Sequence, residues 1–269
     1  MINNLKPLCY NKHGGFIMYI DSHCHLSKEY YEDLDEIINK AKEKKVETLI
    51  ISGCDKKGII EGLETMDKYK NIYATFGFHP SEVDTTTDED LFWLEELIKE
   101  NKKILAVGEI GLDYYWVKDN KEKQRLLFKK QLDIATRLDL PVVIHSREAT
   151  QDTYDILKEY KLNGIIHCYS GSLEMAKEYI KLGYKIGIGG VVTFKNTNLV
   201  DVVKEIDLKD ITLETDSPYL APTPYRGKQN SPEYIPIIAG KIAEIKETTK
   251  EEVGKITTNN INELLNINE

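Results

Sequence analysis

Five histidines and two acids stand out by where they fall in the chain. His23, His25, His79, His145 and His167 each end or closely follow a short apolar, β-rich run, and Glu109 and Asp216 occupy the same kind of position. Imidazole and carboxylate are donors for borderline divalent ions such as Zn²⁺, Mn²⁺ or Fe²⁺, whereas Mg²⁺ prefers oxygen. His23 and His25 are two residues apart, so an extended chain turns both toward one face and Cys24 toward the other. That makes a chelating pair and leaves Cys24 as a packing residue; Cys168, beside His167, reads as ordinary core. Four imidazoles with Glu109 and Asp216 suit two metal ions. Two divalent ions bring +4 and the two carboxylates −2, leaving about +2, a place for an anion. Taken singly, each residue has a plainer reading: a satisfied buried histidine, a salt-bridge acid, or, for Asp216, the turn that Asp-Ser-Pro makes.

The elements that must hold these residues alternate along the chain. Strands are expected at Phe16–Asp21, Val46–Ser52, Ile72–Phe76, Ile104–Glu109, Pro141–His145, Gly164–His167, Tyr184–Ile188 and Asp210–Glu214. Helical patterns separate them at Leu34–Lys45, Lys57–Lys70, Asp88–Lys99, Glu122–Asp139, Ala149–Tyr160, Leu173–Leu182 and Leu199–Ile206. Two more follow, at Ser231–Lys246 and Thr249–Leu265. Thr87 or Asp88 and Ser172 read as N-caps, and Gly183 as a C-terminal stop. Strict alternation implies a parallel sheet, and about eight repeats match an α/β fold of the (β/α)₈ TIM-barrel type in a single domain. An open doubly wound sheet is the competing architecture, but no glycine-rich nucleotide loop follows a strand. A parallel barrel gathers all C-terminal strand ends on one rim, so the seven residues would converge there.

Composition sets the outer limits. The 269 residues carry 36 basic and 45 acidic side chains, a formal charge of −9, with 41% hydrophobic residues. That supports a sizeable core and excludes disorder. Mean hydropathy is −0.42, and no apolar run approaches a membrane span. The charge argues against coating a long duplex, but not against holding a nucleic acid end at a local site, because surface fields are screened within about 8 Å. Cys9, Cys24, Cys54 and Cys168 form no framework and, without a secretion signal, read as reduced thiols of a cytoplasmic protein. Residues 1–17 read as an N-terminal extension and 18–269 as the barrel. No apolar interface segment stands out, so a monomer is expected.

The motifs YIDSHCHL (19–26), FGFHP (76–80), VGEIGLDYY (107–115), VIHSREA (143–149), HCYSG (167–171) and ETDSPYLAP (214–222) resemble the TatD family of metal-dependent deoxyribonucleases. The resemblance covers nearly everything from Met18 onward. One departure is Ser27, where the family favours Asp or Asn. The resemblance implies an amidohydrolase-type barrel with two divalent metal ions (Zn, Mn, Mg or Fe). By position, His23, His25 and Asp216 would hold one ion, His145 and His167 the second, and Glu109 would bridge them. Many such barrels bridge with a carboxylated lysine; here Glu109 fills that place unmodified.

The chemistry that follows is attack of an activated water on phosphorus, with Glu109 and Asp216 as catalytic residues and Asp216 moving the proton. His79 is a candidate phosphate contact or, equally, a turn-stabilising residue. Arg226 is a candidate phosphate clamp or a solvated loop charge; Arg147 is weaker, read equally as helix surface. Tyr114, Tyr115, Trp116, Tyr169, Phe194 and Tyr219 fall in the expected rim loops, where rings stack bases or pack the loops. The leading expectation is exonuclease action on single-stranded 3′ ends of DNA, with RNA also open. The alternative is D-aminoacyl-tRNA deacylation or other ester and amide hydrolysis, to which members of that family have been linked. A non-catalytic metal-binding barrel is the third reading.

Overall fold

In the computed structural model, which describes residues 18–116 and 118–267, the alternation of the sequence becomes a ring of eight parallel strands. The elements are β1 (Tyr19–Cys24), α1 (Leu34–Glu43), β2 (Val46–Gly53), α2 (Lys56–Lys68), β3 (Ile72–Phe76), α3 (Asp88–Glu100), β4 (Ile104–Asp113), α4 (Lys121–Leu138) and β5 (Val142–Arg147). They continue with α5 (Thr150–Leu157), β6 (Gly164–Ile166), α6 (Leu173–Lys181), β7 (Tyr184–Ile188), α7 (Leu199–Glu205), β8 (Ile211–Leu213), α8 (Ile235–Ile245) and α9 (Lys250–Leu265). Strand order follows chain order, and Cys24 pairs with Ser217 to join the first strand to the segment after the last. This is the expected (β/α)₈ barrel.

Local chemistry places the helices. Thr87 caps α3 in a reciprocal box with Asp90, and Ser172 caps α6 by accepting from the Met175 N–H. Gly183 takes φ +97 just after α6, a conformation glycine adopts without strain. Apolar faces of α1–α8 pack onto the outside of the sheet. A second cluster, including Ile20, Ile50, Val143 and Ile165, meets Ile261 and Leu265 of α9. Thr258 and Asn260 of α9 also bond the carbonyls of Met18, Leu208 and Ile211, where strands begin. Helix α9 therefore covers the N-terminal end of the barrel and leaves the C-terminal rim open.

Several strands run further than their apolar runs indicated: β1 continues past Asp21 to Cys24 and so includes His23. β4 continues past Glu109 to Asp113, and β5 past His145 to Arg147. Gly111, at φ +147, makes this continuation fit, because a Cβ there would collide with the His145 carbonyl. Helix α5 is shorter than its pattern, and β1 begins at Tyr19; Phe16, Cys9 and the expected 1–17 extension lie outside the described residues.

Closure of the ring rests on Asp21. Its carboxylate oxygens accept from the Thr215 N–H (2.9 Å), the Thr215 hydroxyl (2.5 Å) and the His23 N–H (3.3 Å). Burial outweighs these bonds and pushes the carboxyl up to about 8. A carboxyl raised on folding keeps a proton that the unfolded chain has lost above roughly pH 4, so its contribution declines as pH rises through that window. Asp21→Asn keeps one acceptor oxygen and cannot ionise. With chelator present, its melting temperature relative to wild type should rise from about pH 4 to about pH 8 and level off above, as followed by circular dichroism.

Candidate metal centre

The rim brings His23, His25, Glu109, His145, His167 and Asp216 together from five strand ends. His23 lies within β1 and His25 just beyond it, while Cys24 turns into the core and points its thiol at the Ile50 carbonyl (3.6 Å). The alternation of an extended chain thus produced the chelating pair. Asp216 follows β8 at φ +54, a left-handed conformation that a non-glycine residue adopts at a cost. Its N–H bonds the His23 carbonyl (3.0 Å), tying the two strand ends together.

The donor atoms fall into two groups, divided by Glu109. Its Oε2 lies 3.4 Å from His23 Nε2 and 3.9 Å from His25 Nε2. Its Oε1 lies 2.7 Å from His145 Nδ1 and 2.8 Å from His167 Nε2. In the first group His23 Nε2 and His25 Nε2 are 3.3 Å apart, and Asp216 Oδ1 is 3.4 Å from His25 and 3.7 Å from His23. Donors about 2.0–2.2 Å from a tetrahedral ion sit about 3.3–3.6 Å apart, so this group has the spacing of a coordination shell. In the second group, His145 Nδ1 and His167 Nε2 are 3.5 Å apart and share Glu109 Oε1. The chemistry of the donors and their spacing fit a divalent metal.

Electrostatics point the same way. Burial alone would raise Glu109, but His167, His145 and His23 hold it well below the usual carboxylate range. Burial lowers His25, His145 and His167, yet Asp216 reverses this for His25, Asp113 and Glu109 for His145, and Glu109 and Glu214 for His167. His23 is lowered by burial and by His167, whose ring stacks on it at 4.1 Å. Buried anions and inward-facing imidazoles here demand positive charge at one point.

His79 stabilises its turn and also faces the site. Its Nδ1 accepts from the Ser81 N–H (3.1 Å), capping the 3₁₀ turn Pro80–Glu82, so the ring proton belongs on Nε2. Nε2 faces the site, 3.9 Å from Glu109 Oε1. Burial and His145 lower its pKa to about 4, so at neutral pH it is an uncharged donor. Both candidate arginines are exposed at the rim. Arg147 lines the cavity over the metal cluster, whereas Arg226 stacks on Phe194 at 4.4 Å and does not line it. Of the rim aromatics, Tyr114 and Tyr169 are buried packing residues, while Trp116 and Tyr219 line the cavity. That cavity, of about 730 Å³, is within the range of small-ligand sites.

Several site residues escaped the sequence reading. Asp113 Oδ2 lies 3.1 Å from His145 Nε2, which fixes the ring and leaves Nδ1 aimed at Glu109. Glu109, Gly111 and Asp113 share one face of β4, so extending that strand by four residues would have revealed it. Cys54, just after β2, approaches Glu109 Oε2 at 3.4 Å. Glu214 accepts from the Cys168 N–H and faces His167 Nδ1 at 3.6 Å. Cys168 is a correction: at φ +44 it is half-buried and lines the cavity, because this turn swings it out of the core.

A barrel with such a rim cluster defines the class of metal-dependent hydrolases, and the comparisons make the assignment specific. Residues 20–266 match the family model for TatD-related DNases, and the chain belongs to the TatD family. It is 44% identical over 256 residues to YabD of Bacillus subtilis, named an uncharacterized metal-dependent hydrolase, covering 93% of this chain and all of that one. A metal-dependent hydrolase of Methanocaldococcus jannaschii, likewise named uncharacterized, is 40% identical, with 91% of this chain and 95% of its own covered. The crystal structure of the Escherichia coli TatD homologue YjjV superposes with a TM-score of 0.88 at 30% identity, covering 93% of this chain and 98% of that one.

Glu109→Ala and His145→Ala should each bind fewer equivalents of Zn²⁺ or Mn²⁺ than wild type, as read by elemental analysis after dialysis. Asp113→Asn should keep the full equivalents but bind them about 10–100-fold more weakly by calorimetry. Unchanged affinity would remove Asp113 from the site.

Proposed function

We propose that this hydrolase cleaves phosphodiester bonds at nucleic acid ends, with two divalent ions held by His23, His25 and Asp216 on one side of Glu109 and by His145 and His167 on the other. The observation that carries the reading is the division of Glu109, each oxygen facing its own donor group. The family description as DNase-related supports phosphorus as the target. When bound, such ions lower the pKa of water and neutralise charge on phosphate oxygens.

The chain's own residues do the rest. Asp216 points Oδ1 at His25 and His23, which leaves Oδ2 to take the proton of the attacking water. His79 donates its Nε2–H to a phosphate oxygen, and its low pKa keeps that donor uncharged. Glu109 stays ionised and fixes the spacing of the two donor groups. Asp113 holds His145 in the orientation that presents Nδ1. The reaction takes place on the rim of a protein with a charge of −9, so the substrate is drawn by a local cationic site rather than by the protein's whole field.

The test is digestion of short single-stranded oligonucleotides, labelled at either end, by protein loaded with Mg²⁺, Mn²⁺ or Zn²⁺. Wild type should shorten the strand one nucleotide at a time from the 3′ end. Glu109→Ala and His145→Ala should be slower by at least about 100-fold, the scale on which losing one preorganised charge-stabilising group acts. A metal-loaded wild type that leaves every oligonucleotide intact while cleaving aryl esters or aminoacyl-tRNA would overturn the phosphodiester reading.

A further inference from the structure

Beyond the metal cluster, the arginines divide into two kinds. The chain has four. Arg125 is bound to Asp152 (2.5 Å) and Glu122, and Arg137 to Glu95 (2.6 Å). The other two form no ion pair with a carboxylate among the described residues, and both lie against aromatic rings of loops at the C-terminal rim. The Arg147 guanidinium sits 4.2 Å from the Tyr115 ring and 5.4 Å from that of Trp116. Arg226 sits 4.4 Å from Phe194. In a protein of net charge −9, these are two unneutralised cations held in place by stacking.

Their positions matter as much as their charge. Tyr115 and Trp116 follow β4 and Arg147 ends β5; Phe194 and Arg226 follow β7 and β8. Strand order equals chain order, so the pairs stand three strand positions apart around an eight-membered ring, with the metal cluster inside it. Trp116 is 70% exposed and lines the same cavity as His145 and Asp216. An exposed indole beside a planar cation fits a ligand that is both flat and anionic, and an acidic peptide would leave the ring unused. Nucleotides are flat and anionic, and unpaired bases are free to stack.

We infer that Trp116 with Arg147, and Arg226 with Phe194, are two docking points that hold a single-stranded nucleic acid across the rim on either side of the scissile phosphate. The inference rests on the phosphodiesterase reading and adds to it the residues that position the strand and a dependence on length, since only strands long enough reach both points. The stacked guanidiniums take backbone phosphates, and the Trp116 face takes a base.

The experiment measures kcat and KM of the metal-loaded enzyme on single-stranded DNA of increasing length, from a dinucleotide upward, and on bis(p-nitrophenyl) phosphate. For wild type, kcat/KM should climb with length and then level. Trp116→Ala and Arg147→Ala should raise KM for long strands by roughly 5- to 150-fold, the factor corresponding to about 1–3 kcal/mol per stacked base, with kcat changed far less. The loss should shrink toward the dinucleotide, and Arg226→Ala should affect only strands that span the rim. Trp116→Phe keeps a stacking ring and should recover most of the loss. With chelator present, added oligonucleotide should quench tryptophan emission in wild type but not in Trp116→Phe, whose remaining Trp93 packs against the core. Length-independent kcat/KM, or losses equal at every length, would overturn this inference and leave the phosphodiesterase reading standing. No cleavage of either substrate and no quenching would overturn both.

Discussion

One buried carboxylate organises the rim. Glu109 is only 4% exposed, and an ion that far from water is tolerated only where opposite charge surrounds it. Its two oxygens face two sets of imidazoles rather than one, so the group that needs compensation also sets the distance between the sets. The histidines need the arrangement in return, because imidazole nitrogens converging at 3.3 to 3.5 Å repel when protonated and leave lone pairs unused when neutral. A divalent cation held among these donors would resolve both problems.

The scaffold is built to keep those donors in place without protein in the way. Helix α9 covers one end of the barrel, so the interior is packed from below and the strand ends above remain open. Ring closure falls beside the site itself: Asp21, Thr215, His23 and Asp216 tie β1 to the segment after β8. The left-handed residues Asp216 and Cys168 lie on that same rim, where backbone strain aims polar groups at the cavity. Ion pairs that tie helix lysines to neighbouring loops, such as Lys57–Glu29, Lys123–Asp84 and Lys129–Glu159, are exposed and contribute little each. The candidate metal donors and their immediate supports therefore sit together at one end of the barrel.

The same separation lets an acidic protein keep unpaired arginines at its rim. Charges on outer helices are screened from the rim, while the metal donors and the two ring-stacked arginines act at contact distance. Arg125 and Arg137 are absorbed by neighbouring carboxylates; Arg147 and Arg226 are held by rings, which position a cation without neutralising it.

The sequence by itself determined the barrel and the residues that meet on its rim. Alternation of strand and helix admits few arrangements, and a parallel barrel sends every strand end to one rim, which gathers His23, His25, His79, Glu109, His145, His167 and Asp216; the resemblance to the TatD family is what singles out the six without His79 as donors. The period of an extended chain also separated His23 and His25 from Cys24. Tertiary structure alone decided the rest. That β4 reaches Asp113 depends on Gly111 letting β5 come close, which an apolar pattern ending at Glu109 does not register. Cys168 faces the cavity because one residue takes a positive φ, and Arg147 lines it because β5 runs on to that residue, whereas the loop after β8 carries Arg226 elsewhere. Periodicity encodes which face of a regular element a residue occupies. It carries no information about the direction of a loop, since that is set by contacts between segments far apart in the chain.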